Sequence, residues 1–119
     1  MSNEENFELV RRFNQVSKAD DVLSVLNEIL ASDFVAHNGD EDVRGPEGWR
    51  RFVLDAQGNG GGVETGIDEL IGEGNLVAER WWIRSNAGGD ASINGHGMTM
   101  HRIVDGKLQE NWAVFQPEK

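Results

Sequence analysis

Along the first half of the chain apolar residues recur at three- and four-residue steps, and along the second half they alternate. That change of period predicts helices followed by strands. Phe7, Val10, Phe13 and Val16 fall at three-residue steps behind Asn3, which can cap a first helix, with Glu4, Glu5 and Glu8 in its favourable first turn. Asp20 or Asp21 caps a second helix, whose stripe of Val22, Val25, Leu26, Ile29 and Leu30 is ended by Ser32-Asp33. Phe34 to Asn38 reads as a short extended segment, and Gly39 to Asp42 as a polar loop. A third helix opens at Gly45-Pro46, because Pro fits a first turn where no N–H is required, and it buries Trp49, Phe52, Val53 and Ala56. The run from Gln57 to Gly62 reads as a flexible connection, since a phosphate cradle would need a strand before it and a Lys-Ser/Thr after it.

From Val63 the period is two. Val63 to Ile71 predicts a strand, Gly72 to Asn75 a turn, and Leu76 to Arg84 a second strand. That second strand carries Val77, Glu79, Trp81 and Ile83 on one side and Ala78, Arg80, Trp82 and Arg84 on the other. Adjacent tryptophans on opposite sides ask for cover on both, from the helices on one and from a second subunit or the arginine stems on the other. After a Gly-containing loop from Ser85 to Asp90, a hairpin from Ser92 to Gln116 turns at Asp105-Gly106, a pair suited to the positive φ values of a type I′ turn. With Val104 opposite Lys107, one face pairs His101 with Glu110, Thr99 with Trp112, Gly97 with Val114 and Gly95 with Gln116. Met98, Met100, Asn111, Ala113 and Phe115 take the other face. Gly95 and Gly97 bracket His96 as a bulge would. The plan is α+β, a single domain over residues 1–119 with the helices inside one strongly curved antiparallel sheet.

Charge and composition narrow the function. Asp and Glu number 21 against 11 Lys and Arg, and the net charge of −10 repels nucleic acid and anionic membranes, so neither is expected as a partner. The acidity reads as solubility, with a high-salt setting as one source of it. With no Cys there is no disulfide, thiolate metal site or cysteine nucleophile. The start lacks a basic then apolar leader, and apolar runs are short, so a soluble cytoplasmic protein is expected.

Four stretches carry a resemblance: Ser-Asp-Phe-Val-Ala-His-Asn at 32–38, Arg-Gly-Pro-Glu-Gly-Trp at 44–49, Leu-Val-Ala-Glu-Arg-Trp at 76–81, and His-Arg-Ile-Val-Asp-Gly-Lys-Leu-Gln-Glu-Asn-Trp at 101–112. In that order and spacing the chain resembles the SnoaL-like polyketide cyclase family, within the superfamily of cone-shaped α+β barrels that includes nuclear transport factor 2 and ketosteroid isomerase. The resemblance implies a cone-shaped curved sheet wrapped around three N-terminal helices, a deep pocket between them, a homodimer through the outer side of the sheet, and no cofactor. It also implies an Asp as general acid/base four residues after the last-strand Trp, where this chain has Gln116. An amide can hydrogen-bond a carbonyl or hydroxyl but moves no proton near neutrality. There is no Tyr to donate to an enolate.

The remaining ionisable candidates for catalysis are His101 with Glu110, His37, and Glu79. His101 and Glu110 are either an acid/base couple or a cross-strand polar pair that only steadies the sheet. His37 follows an apolar strand and is either catalytic or a structural residue holding the Asn38 loop. Glu79, if its side of the strand is the inside, is a carboxylate in an apolar cavity and suits proton transfer; otherwise it is a surface acid. Gln116, Trp112, Trp81, Thr99, Val114 and Trp49 are expected to line the pocket. No ligand spacing such as His-x-x-x-His supports a metal site from His37, His101 and a carboxylate, and none is expected. The function expected is a pocket for a small, apolar, carbonyl-bearing molecule, either with cofactor-independent proton transfer of the cyclase or isomerase type, or as a binding or dimerisation module that has lost the acid/base.

Overall fold

The computed structural model describes residues 2–57, 63–85 and 94–118. The expectations for the glycine run at 58–62 and for the loop at 86–93 lie outside the described residues. Helix α1 spans Asn3–Asn14 and is capped one residue earlier than expected. The Ser2 hydroxyl accepts the Glu5 N–H and the Glu5 carboxylate accepts the Ser2 N–H, both at 3.1 Å, a reciprocal box that Asn3 would have to displace. Asn3 instead donates to the Gly72 carbonyl at 3.2 Å. A short 3-10 turn at Val16–Lys18 leads to helix α2, Val22–Ile29, which Asp21 caps by accepting the Ser24 N–H at 3.1 Å.

Helix α2 stops at Ile29, and strand β1, Leu30–Asn38, begins at once. Leu30 satisfies the helical period, yet it pairs with Leu108 of the last strand and is buried there, so sheet pairing overrides local pattern. The expected polar loop is also shorter than read: Glu41–Arg44 forms strand β2, antiparallel to β1. Helix α3, Gly45–Gln57, is followed by strands β3 (Val63–Glu73), β4 (Leu76–Ser85), β5 (Asn94–Val104) and β6 (Lys107–Pro117).

These strands form a six-stranded sheet in the order β2-β1-β6-β5-β4-β3, curved around the three helices into an open α+β cone. It is mixed rather than wholly antiparallel, because β1 runs parallel to β6. The core lies on the concave side, where Leu9, Val10 and Phe13 of α1, Leu26 and Ile29 of α2, and Val53 of α3 meet Phe34, Ala36, Val77, Ile103 and Leu108 of the sheet. Burying each of the larger side chains contributes about 1.5–3 kcal/mol.

The turn is as read: Asp105 has φ 52° and Gly106 φ 77°, and Val104 faces Lys107. Beyond it the expected register fails. Ile103 faces Leu108, but Arg102 faces Glu110, so Gln109 is an extra residue, a bulge that shifts everything after it by one. His101 therefore faces Asn111 rather than Glu110, Thr99 faces Ala113 rather than Trp112, Gly97 faces Phe115 rather than Val114, and Gly95 faces Pro117 rather than Gln116. The physical reason is that Leu108 must join the core beside Ile103; without the bulge, Glu110 and Trp112 would follow it onto the concave face. The bulge does not sit at Gly95 and Gly97. A Cβ at Gly97 would collide with the Trp81 ring and one at Gly95 with the Phe115 ring, so both glycines make room for aromatics.

Candidate active site

With that register the concave face is built in layers. The deepest layer sets Ala36, Asn111, His101 and Val77 side by side across β1, β6, β5 and β4. Asn38, Ala113, Thr99 and Glu79 form the next, and Phe115, Gly97 and Trp81 the layer at the mouth. Over them lies a cavity of about 600 Å³, closed by Phe13, Trp49, Phe52 and Val53 from the helices. Trp49 stacks on Phe52 with centroids 4.8 Å apart, and Trp81 lies flat on Phe115 at 5.9 Å and 9°. The walls are apolar, with a few polar groups at fixed places, the usual form of a small-molecule site.

Glu79 is the one ionisable side chain among the described residues lining this cavity, and it is 5% exposed. Its Oε1 lies 2.7 Å from Nε2 of His101, a histidine with no exposure. His101 Nδ1 has no partner among the described residues. A bare lone pair there is tolerated better than an orphaned N–H, which favours the tautomer that donates from Nε2 to the carboxylate. The second oxygen, Oε2, receives the Asn14 amide at 3.4 Å. Asn14 is held in that sense because its own Oδ1 accepts from the Gln15 amide at 2.5 Å. Nearby, the Trp81 indole N–H donates to the Thr99 hydroxyl at 2.8 Å. Glu79 is thus oriented at both oxygens and open only to the cavity, as a group that takes and returns a proton must be.

The residues named from sequence divide between the two faces of the sheet. Glu79, Trp81, Thr99 and Trp49 line the cavity, Val114 borders it while 69% exposed, and His101 stands behind Glu79. His37, Glu110, Trp112 and Gln116 lie on the convex side, where Gln116 pairs with His96. The acid–base pairing differs accordingly: Glu79, not Glu110, meets His101, and Glu110 meets His37 at 2.6 Å. The other nitrogen of His37 lies 2.8 Å from Asp42, and its ring stacks on Trp112 at 5.7 Å, with the Arg102 guanidinium 5.4 Å from that indole. The hydrogen bond to Glu110, then that to Asp42, holds the His37 pKa above the ordinary imidazole value of 6.5. A metal site joining His37, His101 and a carboxylate is not assembled, since the sheet separates the two imidazoles; among the described residues no group of three or more His, Cys, Asp or Glu could hold a metal ion.

Sequence reasoning missed Asn14 and Asn111. Asn14 meets Glu79 across 65 positions of sequence, which no local signal reports, and Asn111 reaches the cavity only because of the bulge at Gln109.

A family model described as the SnoaL-like domain matches residues 10–111. Among solved structures, a proposed SnoaL-like polyketide cyclase from Jannaschia sp. CCS1 superposes with a TM-score of 0.78 at 18% identity, covering 98% of this chain and 90% of that one. IdmH, a proposed polyketide cyclase from Streptomyces antibioticus, gives 0.73 at 20% identity over 96% and 93% of the two chains. An LEH-like epoxide hydrolase from M. tuberculosis gives 0.75 at 19% identity over 95% and 84%. No curated protein matches the chain by sequence. At these identities the structures share a fold, and that fold carries different chemistries, so the activity has to be argued from the site. The match of the domain model over most of the chain, on a cone whose concave face holds the cavity, makes this protein a member of the SnoaL-like family.

Proposed function

We propose that the chain is an enzyme of the cyclase or isomerase kind, acting on a small, apolar, carbonyl-bearing molecule by proton transfer through its own side chains. The observation that carries the reading is Glu79: a buried carboxylate at the cavity wall with His101 on one oxygen and Asn14 on the other. Glu79 takes the proton from a carbon beside the substrate carbonyl, and the C–H electron pair moves into the carbonyl to give an enolate. Return of the proton at another carbon is isomerisation; attack of the enolate carbon on a second carbonyl in the same molecule, with Glu79 giving its proton to the alkoxide that forms, is aldol closure. His101 steadies Glu79 through both stages, and the aromatic walls exclude water from the enolate.

This predicts carbon-bound deuterium exchange in apolar ketones, followed by NMR in heavy water. Glu79→Gln should slow it by about a hundredfold to ten-thousandfold, the usual scale for losing a general base. Exchange at the wild-type rate in Glu79→Gln would overturn the reading. The rings of Trp49, Phe52, Trp81 and Phe115 would then favour the alternative, a cavity that binds such a molecule without acting on it.

The convex face supports a second part of the proposal, a homodimer through the sheet. Met98 is 58% exposed, Met100 41%, Val114 69% and Trp112 39%, a run of apolar side chains on adjacent strands that a soluble protein rarely leaves open. Light scattering should give twice the chain mass of 13.2 kDa, falling to the single mass in Met98→Glu with Val114→Glu. A wild-type protein of single mass at tens of micromolar would end this part.

A further inference from the structure

Thr99 differs from the other hydroxyl described in the cavity wall with its partners. The Thr65 hydroxyl is engaged with the backbone carbonyl of Asn14 at 2.8 Å. Thr99 is engaged on its oxygen only: the Trp81 indole N–H donates to Oγ1 at 2.8 Å, and the hydroxyl proton has no acceptor among the described residues. A hydroxyl that receives one hydrogen bond donates a stronger one, because each bond polarises the next. Thr99 is 7% exposed and lines the cavity, so what remains for its proton to meet is the cavity's occupant. A buried donor left unmet is uncommon, and its presence at a cavity wall points to a ligand acceptor.

Its place relative to Glu79 gives the chemistry of that acceptor. Thr99 and Glu79 are directly opposite each other on β5 and β4 and both face the concave side. Opposite residues on one face of a sheet have Cβ atoms about 4.5–5.5 Å apart. An oxygen that accepts from Thr99 at about 2.8 Å therefore sets the neighbouring atoms of the same molecule in front of the Glu79 carboxylate. We propose that Thr99, with Trp81 donating into it, is the binding site for the substrate's carbonyl oxygen, and that it donates to the enolate oxygen formed when Glu79 takes the adjacent proton. The ligand class is a ketone whose oxygen lies at the Thr99 layer and whose apolar body lies between the Trp49–Phe52 and Trp81–Phe115 rings. Trp81 acts as a positioning residue: its ring rests on the strand where Gly97 has no side chain, and from there its N–H reaches Thr99. The inference rests on the reading of Glu79 as the base.

The test uses two flat apolar probes of the same shape, fluorenone and fluorene, which differ by the carbonyl oxygen. Fluorenone has no proton on a carbon next to its carbonyl, so its binding is read without any turnover and the failure of the Glu79 reading is scored separately, by deuterium exchange. Wild-type protein should bind fluorenone about tenfold more tightly than fluorene, the scale of one hydrogen bond to a desolvated oxygen. The bound carbonyl stretch should move to lower frequency. Thr99→Val, of the same shape, should abolish both the preference and the shift, Thr99→Ser should restore both, and Trp81→Phe, which keeps a ring and removes the N–H, should reduce the preference to about threefold. A preference below about twofold in the wild type, or one that survives in Thr99→Val, overturns the proposal. So does a carbonyl stretch that is the same in the wild type and in Thr99→Val.

Discussion

Two histidine–carboxylate clusters occupy the two faces of one sheet, and they are chemically alike and physically opposite. On the concave side His101 and Glu79 are 0% and 5% exposed and share one 2.7 Å contact, with the Asn14 amide on the second carboxylate oxygen. On the convex side the His37 side chain is 30% exposed, and each ring nitrogen meets its own carboxylate. The convex cluster is fully paired, and His37 behaves as a clamp joining β2, β1 and β6 through Asp42 and Glu110. The concave pair is under-supplied, with a carboxylate facing a cavity and an imidazole nitrogen that has no partner among the described residues. What separates a candidate for chemistry from a fastening is therefore the unmet bonding capacity around the pair, since the residue types are the same.

The sharpest way to break this contrast is to remove one partner of the buried pair. His101→Leu should destabilise the protein by about 3–5 kcal/mol in urea denaturation, because Glu79 is then left buried without its partner. Joining it with Glu79→Leu should recover most of that loss, since a filled apolar interior replaces the pair. A single variant as stable as the wild type would show that the pair is wetter than its burial implies.

A smaller effect, one that depends on pH, is expected outside. The His37 pKa is raised by Glu110 first and Asp42 second, so the folded state binds its proton more tightly than the unfolded chain does. The stabilisation is therefore complete below the unfolded value near 6.5 and is lost as the pH rises through the raised folded value. Glu110→Gln should bring the His37 titration, followed by NMR, back toward the ordinary value and flatten this slope. If the titration midpoint does not move, the Glu110 contact is not what holds the proton.

The fold was more legible than the site, and the reason can be located. Period separates the long helices from the long strands here, though not Leu30 or the short β2, and Asp105-Gly106 fixes the turn because only that pair in its surroundings accepts two positive φ values. Glu79 was legible as a conditional: its alternation with Val77, Trp81 and Ile83 puts it on whichever side they take. The bulge at Gln109 was not legible. It contains no glycine and breaks no local pattern, and it follows from the need to bury Leu108 against residues far away in sequence. One unforeseen residue then took Glu110 away from His101, set it beside His37, and moved Trp112 and Gln116 to the outside. The parallel pairing of β1 with β6 was hidden for a related cause, because no turn joins those two strands.

That parallel pairing bears on how the molecule is made. Strands β1 and β2 belong to the main sheet only through β6, which is the last strand in the chain. While a ribosome is still delivering residues before Lys107, the hairpin of β1 and β2 has no sheet to join, and Phe34 and Ala36 have no neighbouring strand on that side. Folding therefore has to wait for contacts between residues far apart in sequence, Leu30 with Leu108 and Val35 with Glu110 among them, a topology that slows the search and keeps an unpaired strand edge open in the meantime. The nascent chain is exposed to association through that edge until β6 emerges, and the arrival of β6 closes the edge and completes the wall of the cavity in the same event.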